Sequence, residues 1–278
     1  MRNIFANKLV KHASLKKDVY LLTADLGYNC FENFKEKFPK RFINVGIAEN
    51  NMMGVATGLA MQGKEVFVYS IIPFLLYRSF EHIKNYISTY NLNIKLIGAG
   101  GGFSYGAQGI SHNPIEDIGI LNLLPNVKIM TPGTKNQTNK AIDIMLKNKG
   151  FFYIRLGKVP KINTNEKLNN FKLGNGIILN KGSDVTLVCH GNIIENVMKV
   201  AKELEKKNIT VKVISYLNTK PININFLKKN LNVNSKIFCI EEHSEIGGLG
   251  SSIANIIIDL NLKNIIFKKI AIKDRAHL

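Results

Sequence analysis

Cysteine is scarce and scattered. Cys30, Cys189 and Cys239 are the three in 278 residues, and none forms a CxxC pair. A disulfide framework and a cysteine-based zinc site are thereby excluded, and a reducing cytosol fits. Long apolar runs are missing too: Ile71–Leu76 is far short of the roughly 20 residues a membrane span requires. The N-terminus, MRNIFANKLVKHASLKK, interleaves charge with apolar side chains and contains no signal-peptide core. A soluble, unexported, cytoplasmic protein is expected. Acids are in short supply, 20 against 38 bases, which leaves a net charge of +18. The lysines nevertheless lie in short dispersed groups, several beside acids, without the aromatic–basic interleaving of single-strand binders. Neither nucleic acid nor a membrane is expected as a partner; the excess charge suits phosphorylated metabolites or an acidic protein.

What is present is enough to build a core. Apolar types make up 45% and charged types 21%, which excludes disorder and collagen-like repeats. Short apolar runs alternate with amphipathic stretches. The segments 19–25, 65–70, 93–99, 127–130 and 151–155 read as strands, with helical spacing over 49–62, 73–87, 115–124 and 134–148. A polar stretch rich in Asn and Lys follows, and then a second α/β series. Its expected strands are 184–190, 210–216, 236–242 and 264–272, with helices over 195–208, around 225–229 and over 248–260. The expected fold class is α/β: two doubly wound, mostly parallel-sheet domains at 1–158 and 177–278, joined by a linker at 159–176. No internal repeat is present.

Open parallel sheets bind ligands beyond the carboxyl ends of their strands, so the turns there carry the candidates. Glu49 opens the helix after INVGIA. It reads either as a reactive acid or as a carboxylate favouring a helix N-terminus, worth about 0.3–1 kcal/mol. A glycine-rich loop, GAGGGFSYGAQG, precedes His112, Pro114, Glu116 and Asp117; neither GxxxxGK[ST] nor a well-placed GxGxxG occurs in it. His112 suits acid–base or hydrogen-bonding work, or is a structural loop histidine. Arg155 ends a strand, where a guanidinium suits phosphate or carboxylate, or is merely exposed. In IEEHSEIGGLGSSIAN a helix N-terminus could hold an anion, but Glu241, Glu242 and Glu245 would repel one, which leaves close helix packing for Gly247, Gly248 and Gly250.

Taken in order, FINVGIAENNMMGVATGLAMQGKEVFVYSI, SHNPIEDIGILNLLPNVKIMTP and KIFCIEEHSEIGGLGSSIAN resemble the transketolase family across essentially the whole chain. The first two match its pyrimidine-binding domain and the third its C-terminal domain. The family's N-terminal domain, with its GDG…N signature, has no counterpart here. The resemblance therefore implies the C-terminal subunit of a split, thiamine-diphosphate-dependent transketolase moving a two-carbon ketol unit between sugar phosphates. It assigns Glu49 the carboxyl that hydrogen-bonds the aminopyrimidine, in a cleft shared with a second polypeptide. Phe74 and Tyr77 take the aromatic wall on that ring, Asp25 and Leu26 the thiazolium side, His112 the substrate's reacting oxygens, and Gln108 and Arg155 the substrate. No metal ligand is expected from this chain. Mg2+ would be held by a separate N-terminal, diphosphate-binding subunit, without which the chain is inactive, and two-fold pairing would give a heterotetramer.

Three departures qualify the resemblance. Gln108 stands where an Asp is usual, glycines replace a histidine near Gly100, and the chain stops at KDRAHL, short of where relatives continue. The first two hint at a specialised sugar pathway. The third implies a less stable C-terminal domain or a truncated gene. The competing readings are 1-deoxyxylulose-phosphate-synthase-like chemistry, a 2-oxoacid dehydrogenase E1 β-like subunit with a lipoyl partner, and a catalytically silent binding subunit.

Overall fold

The structure, a computed structural model, describes residues 1–160, 162, 164, 166, 168–231 and 236–275. Parts of the expected linker and the last three residues of KDRAHL lie outside the described residues. In the first half the order is α1 (Arg2–Leu15), β1 (Val19–Thr23), α2 (Glu32–Lys37), β2 (Phe42–Asn44), α3 (Glu49–Met61), β3 (Glu65–Ile71), α4 (Ile72–Leu76) and α5 (Phe80–His82). Then come β4 (Ile94–Ala99), α6 (Asp117–Asn122), β5 (Lys128–Met130), α7 (Lys135–Lys147) and β6 (Phe152–Leu156). The second half runs β7 (Gly176–Asn180), β8 (Val185–His190), α8 (Ile194–Glu205), β9 (Val211–Tyr216), β10 (Asn218–Lys220) and α9 (Ile224–Asn230). It closes with β11 (Lys236–Ser244), α10 (Leu249–Asp259) and β12 (Ile266–Ile272).

Two sheets result. The first has the order β10-β5-β6-β4-β3-β1-β2 and is parallel except for β10, which runs antiparallel to β5. The second has the order β12-β11-β8-β9-β7, parallel except for β7. Strands β3, β4 and β6 are buried on both faces, which is why they read as continuous apolar runs. The chain steps from β1 to β2 on one side and then to β3 on the other, so the sheet reverses direction at β1. By the general rule for open α/β sheets, that reversal marks the carboxyl ends of β1 and β3 as the place for a ligand.

Several elements differ from the sequence reading. The helix expected over 73–87 is broken into α4, α5 and a π-helical turn over Ile83–Ser88. At the break Ser79 leaves helical geometry (φ −120°, ψ 19°), and its Oγ donates to the Leu75 carbonyl at 2.8 Å. Such local bonding competes with the helix ladder. Strand β1 stops at Thr23, two residues early, because Asp25 turns the backbone to φ +51°. Helices α1 and α2 and strands β7 and β10 carry no expectation from sequence. Strand β10 belongs to the second half of the chain but completes the first sheet, so the two domains share more than a linker.

One buried cation anchors the amino-end edge of the first sheet. Lys95 on β4 is fully buried, and its Nζ donates to Asn93 Oδ1 (2.8 Å), Asn148 O (2.9 Å) and Gly150 O (2.7 Å). Burial pushes its pKa down to about 7, while the Glu65 carboxylate pulls it up. Three acceptors meet the three donors of the charged form, which is the state this cage is built for. Lys95→Met strips all three acceptors of their partner. A loss of about 3 kcal/mol or more in unfolding free energy is expected, read from a lowered urea midpoint at constant m-value; a change of less than about 0.5 kcal/mol would refute the cage.

The EEH stretch ties the halves together. Glu241 Oε2 accepts the Leu249 N–H and Oε1 the Gly250 N–H, each at 2.9 Å, so this acid is itself the anion at the α10 N-terminus. Gly248 is glycine because a Cβ there would lie 2.3 Å from Glu241 Oε2. His243 donates from Nδ1 to the Ser244 carbonyl and accepts the Gly119 N–H of α6 on Nε2 at 3.1 Å, as a neutral ring must. Burial opposes the charge of Glu241, but the hydrogen bonds from His190 and the Gly250 N–H hold its pKa below the usual carboxylate range. Its contribution to stability is therefore complete above about 4.5 and is lost as pH falls through the depressed folded value. Glu241→Gln is expected to be less stable at pH 7 and to show a flatter acid limb in a plot of melting temperature against pH; parallel curves for the two proteins would contradict this.

Candidate active site

All the candidate residues of the first half sit at the carboxyl edge of the first sheet. Glu49 is the first residue of α3, entered from β2, and is 3% exposed within this chain alone. Its Oε2 accepts from Arg78 Nη1 at 2.8 Å, and the Arg78 side chain is half exposed. The Arg78 guanidinium lies over the Phe74 ring, 4.5 Å from its centroid. Phe74 in turn meets the His112 ring edge-on at 5.1 Å, and His112 meets Tyr105 at 5.6 Å. A continuous row of contacts thus runs Glu49, Arg78, Phe74, His112, Tyr105. His112 Nδ1 is 2.9 Å from Ser111 Oγ.

Tyr77, half exposed, donates to Glu116 Oε2 at 2.8 Å, beside the row rather than in it. Burial, with Asp117 and Glu116 nearby, pushes its phenol well up. Asp25 and Leu26 line a recess of about 140 Å³ with Thr23, Phe31, Phe42 and Asn44. There the Asp25 N–H donates to Asn44 Oδ1 at 2.8 Å, and its carboxylate accepts from Tyr28. Gln108 is exposed in a 3-10 turn over Gly106–Ser111, within the glycine-rich loop.

Arg155 is not an open strand end. It is 5% exposed, its Nε donates to Asp117 Oδ2 at 2.9 Å, and its Nη2 to the carbonyls of Pro114 (2.9 Å) and Glu242 (3.0 Å). Tyr153 donates to the same Asp117 oxygen at 2.6 Å. Burial opposes the guanidinium's charge, but Asp117 keeps its pKa above the ordinary value. The glycine run lies directly on this pair: a Cβ at Gly101 would stand 2.8 Å from Arg155 Cγ, and one at Gly102 2.7 Å from Glu242 Oε2. Arg155 therefore joins the His112 loop, α6 and the second domain.

A cationic cavity of about 310 Å³ adjoins the row, at the carboxyl ends of β4 and β6. Arg2, Gly100, Ser104, Tyr105 and Lys158 are among its walls. Arg2 and Arg78 escaped the sequence reading. No spacing rule links residue 78 to residue 49, and Arg2 becomes visible only once α1 is packed along the sheet. Among the described residues no group of three His, Cys, Asp or Glu side chains is placed to hold a metal ion, and no helix is long and apolar enough to cross a membrane.

Comparison with known proteins matches residues 1–160 to the transketolase pyrimidine-binding domain and residues 174–276 to the transketolase C-terminal domain. A Methanocaldococcus jannaschii protein described as a putative transketolase C-terminal section is 32% identical over 92% of this chain and 81% of its own length. One of the subunits of the apulose-4-phosphate transketolase of Phocaeicola vulgatus is 30% identical over 92% of this chain and 83% of its own. Among solved structures, a split-gene transketolase described as an inactive β4 tetramer superposes with a TM-score of 0.86 at 32% identity, covering 98% of this chain and 89% of that one.

Proposed function

Because this chain belongs to the transketolase family, as the C-terminal half of a split transketolase, we propose that it works with a separate diphosphate-binding subunit to move a two-carbon ketol unit between sugar phosphates. The observation that carries this reading is Glu49, buried at the sheet's carboxyl edge and joined through Arg78 and Phe74 to His112.

The residues present fit thiamine diphosphate. A buried carboxyl and an aromatic face lie by the reversal of the sheet, and Thr23 Oγ1 and Ser70 Oγ, at the carboxyl ends of β1 and β3, are buried without a partner. When bound, the cofactor supplies the carbon that carries the two-carbon unit. Glu49 holds the aminopyrimidine ring through a hydrogen bond from its carboxyl group, and Arg78 fixes that carboxyl. Phe74 and Tyr77 supply the apolar wall, and Asp25 and Leu26 the thiazolium side. His112, oriented between two rings, donates to the oxygens of the substrate as they gain charge. Gln108 reaches the substrate from the loop. Arg155 acts by fixing Pro114 and α6, and the anionic end of the sugar lies among Arg2 and Lys158. Mg2+ is held by the partner subunit. Two copies of each chain form a heterotetramer in the cytoplasm. The relative's assembly of this kind of chain alone is described as inactive, which supports the need for the partner.

Purification with and without the diphosphate-binding subunit tests the reading. Calorimetric binding of thiamine diphosphate and cleavage of a donor ketose by the pair, but not by this chain alone, are expected. Absence of cofactor binding under any pairing would leave only a silent subunit.

A further inference from the structure

The glycine-rich loop holds a feature that the assignments above leave unused. Gly100 has φ +88°, and a Cβ there would stand 1.9 Å from Tyr105 Cε2 and 2.5 Å from its Cδ2. The Tyr105 ring thus occupies the volume that a side chain at position 100 would fill. Glycine permits both the left-handed backbone and the close approach. The same ring meets His112 edge-on at 5.6 Å and forms part of the wall of the cavity that Arg2 and Lys158 make cationic. It therefore stands between the histidine and the cations. Burial raises the Tyr105 phenol while Arg2 pulls it down, which marks the two as neighbours.

We infer that Tyr105 is a specificity-determining residue, a wall between His112 and the Arg2–Lys158 cavity that makes the site take short sugar phosphates in preference to longer ones. The inference rests on the ketol-transfer reading above. A substrate with its reacting carbon at His112 and its anionic end among the cations must pass the ring. Chain length is thereby measured against a rigid aromatic face backed by the main chain at Gly100. Selection by the size of an apolar wall is worth roughly 10- to 200-fold per methylene-sized change.

The test uses the two-subunit enzyme loaded with cofactor, with a five-carbon and a seven-carbon ketose phosphate as donors. Tyr105→Ala is expected to raise the ratio of kcat/KM for the longer over the shorter donor by about tenfold or more, and Tyr105→Phe to leave it within about twofold. Tyr105→Leu makes the same comparison if the alanine variant fails to fold. An unchanged ratio in an active Tyr105→Ala enzyme overturns the inference and leaves the ketol-transfer reading intact. If the unmodified enzyme transfers nothing, that reading fails instead. Calorimetric titration of the same two sugar phosphates then decides Tyr105, since the ratio of dissociation constants must shift in the same direction or the wall is refuted.

Discussion

Glu49→Gln in the assembled two-subunit enzyme is expected to lower kcat by two to four orders of magnitude, the range lost when a positioned acid–base group is removed, with melting temperature almost unchanged. Glutamine keeps the shape of the side chain, and its amide oxygen still accepts from Arg78 Nη1, so the bond at 2.8 Å survives. What it lacks is a carboxyl that exchanges a proton with a ring nitrogen. The bland alternative makes Glu49 a carboxylate that favours the α3 N-terminus. Its loss would then cost about 0.3–1 kcal/mol of stability and leave turnover alone. Steady-state kinetics alongside thermal melting separates the two, and full turnover in the glutamine enzyme would end the assignment.

Asp117→Ala is expected to cost about 3–5 kcal/mol, because it leaves the Arg155 guanidinium buried and uncompensated. For a chain of this size that corresponds to a fall in melting temperature of roughly 6 to 20 °C. The double variant Asp117→Leu with Arg155→Met removes both charges and should recover most of the loss, since an apolar pair of similar volume often matches a buried ion pair. The measurement also discriminates between two uses of Arg155. If the arginine held substrate phosphate directly, Arg155→Met would raise KM for phosphorylated donors with little change in melting temperature. The bonds to Pro114 and Glu242 carbonyls argue for the opposite pattern.

The sheet strands and the order of the two domains were legible because buried parallel strands leave unbroken Val, Ile and Leu runs. Helix α1 was not: its buried face is Phe5, Ala6, Leu9, Val10 and Ala13, and the lysines between them mask the period. Strand β10, three residues long, has no period to read. Of the site, Glu49 and His112 could be picked out from motif order. Their connection through Arg78 and Phe74 could not, because it depends on a helix breaking at Ser79 and turning residue 78 back toward α3. Arg155 was visible as a residue, and of its two readings the exposed strand end is the one that burial removes. The strand-end position is right, but the glycine loop folds over it and the second domain supplies Glu242 from 87 positions away. The acids of the EEH stretch, read as barring an anion from α10, turn out to include the anion.

Strand β10 also bears on synthesis. Domains generally fold as they leave the ribosome, amino end first, yet among the described residues the β5 edge of the first sheet is covered by Asn218–Lys220 alone. Until some two hundred and twenty residues have emerged, that rim stays bare and open to another chain. A nascent length cut at the linker lacks one strand of its own sheet, which ties completion of the first half to synthesis of the second.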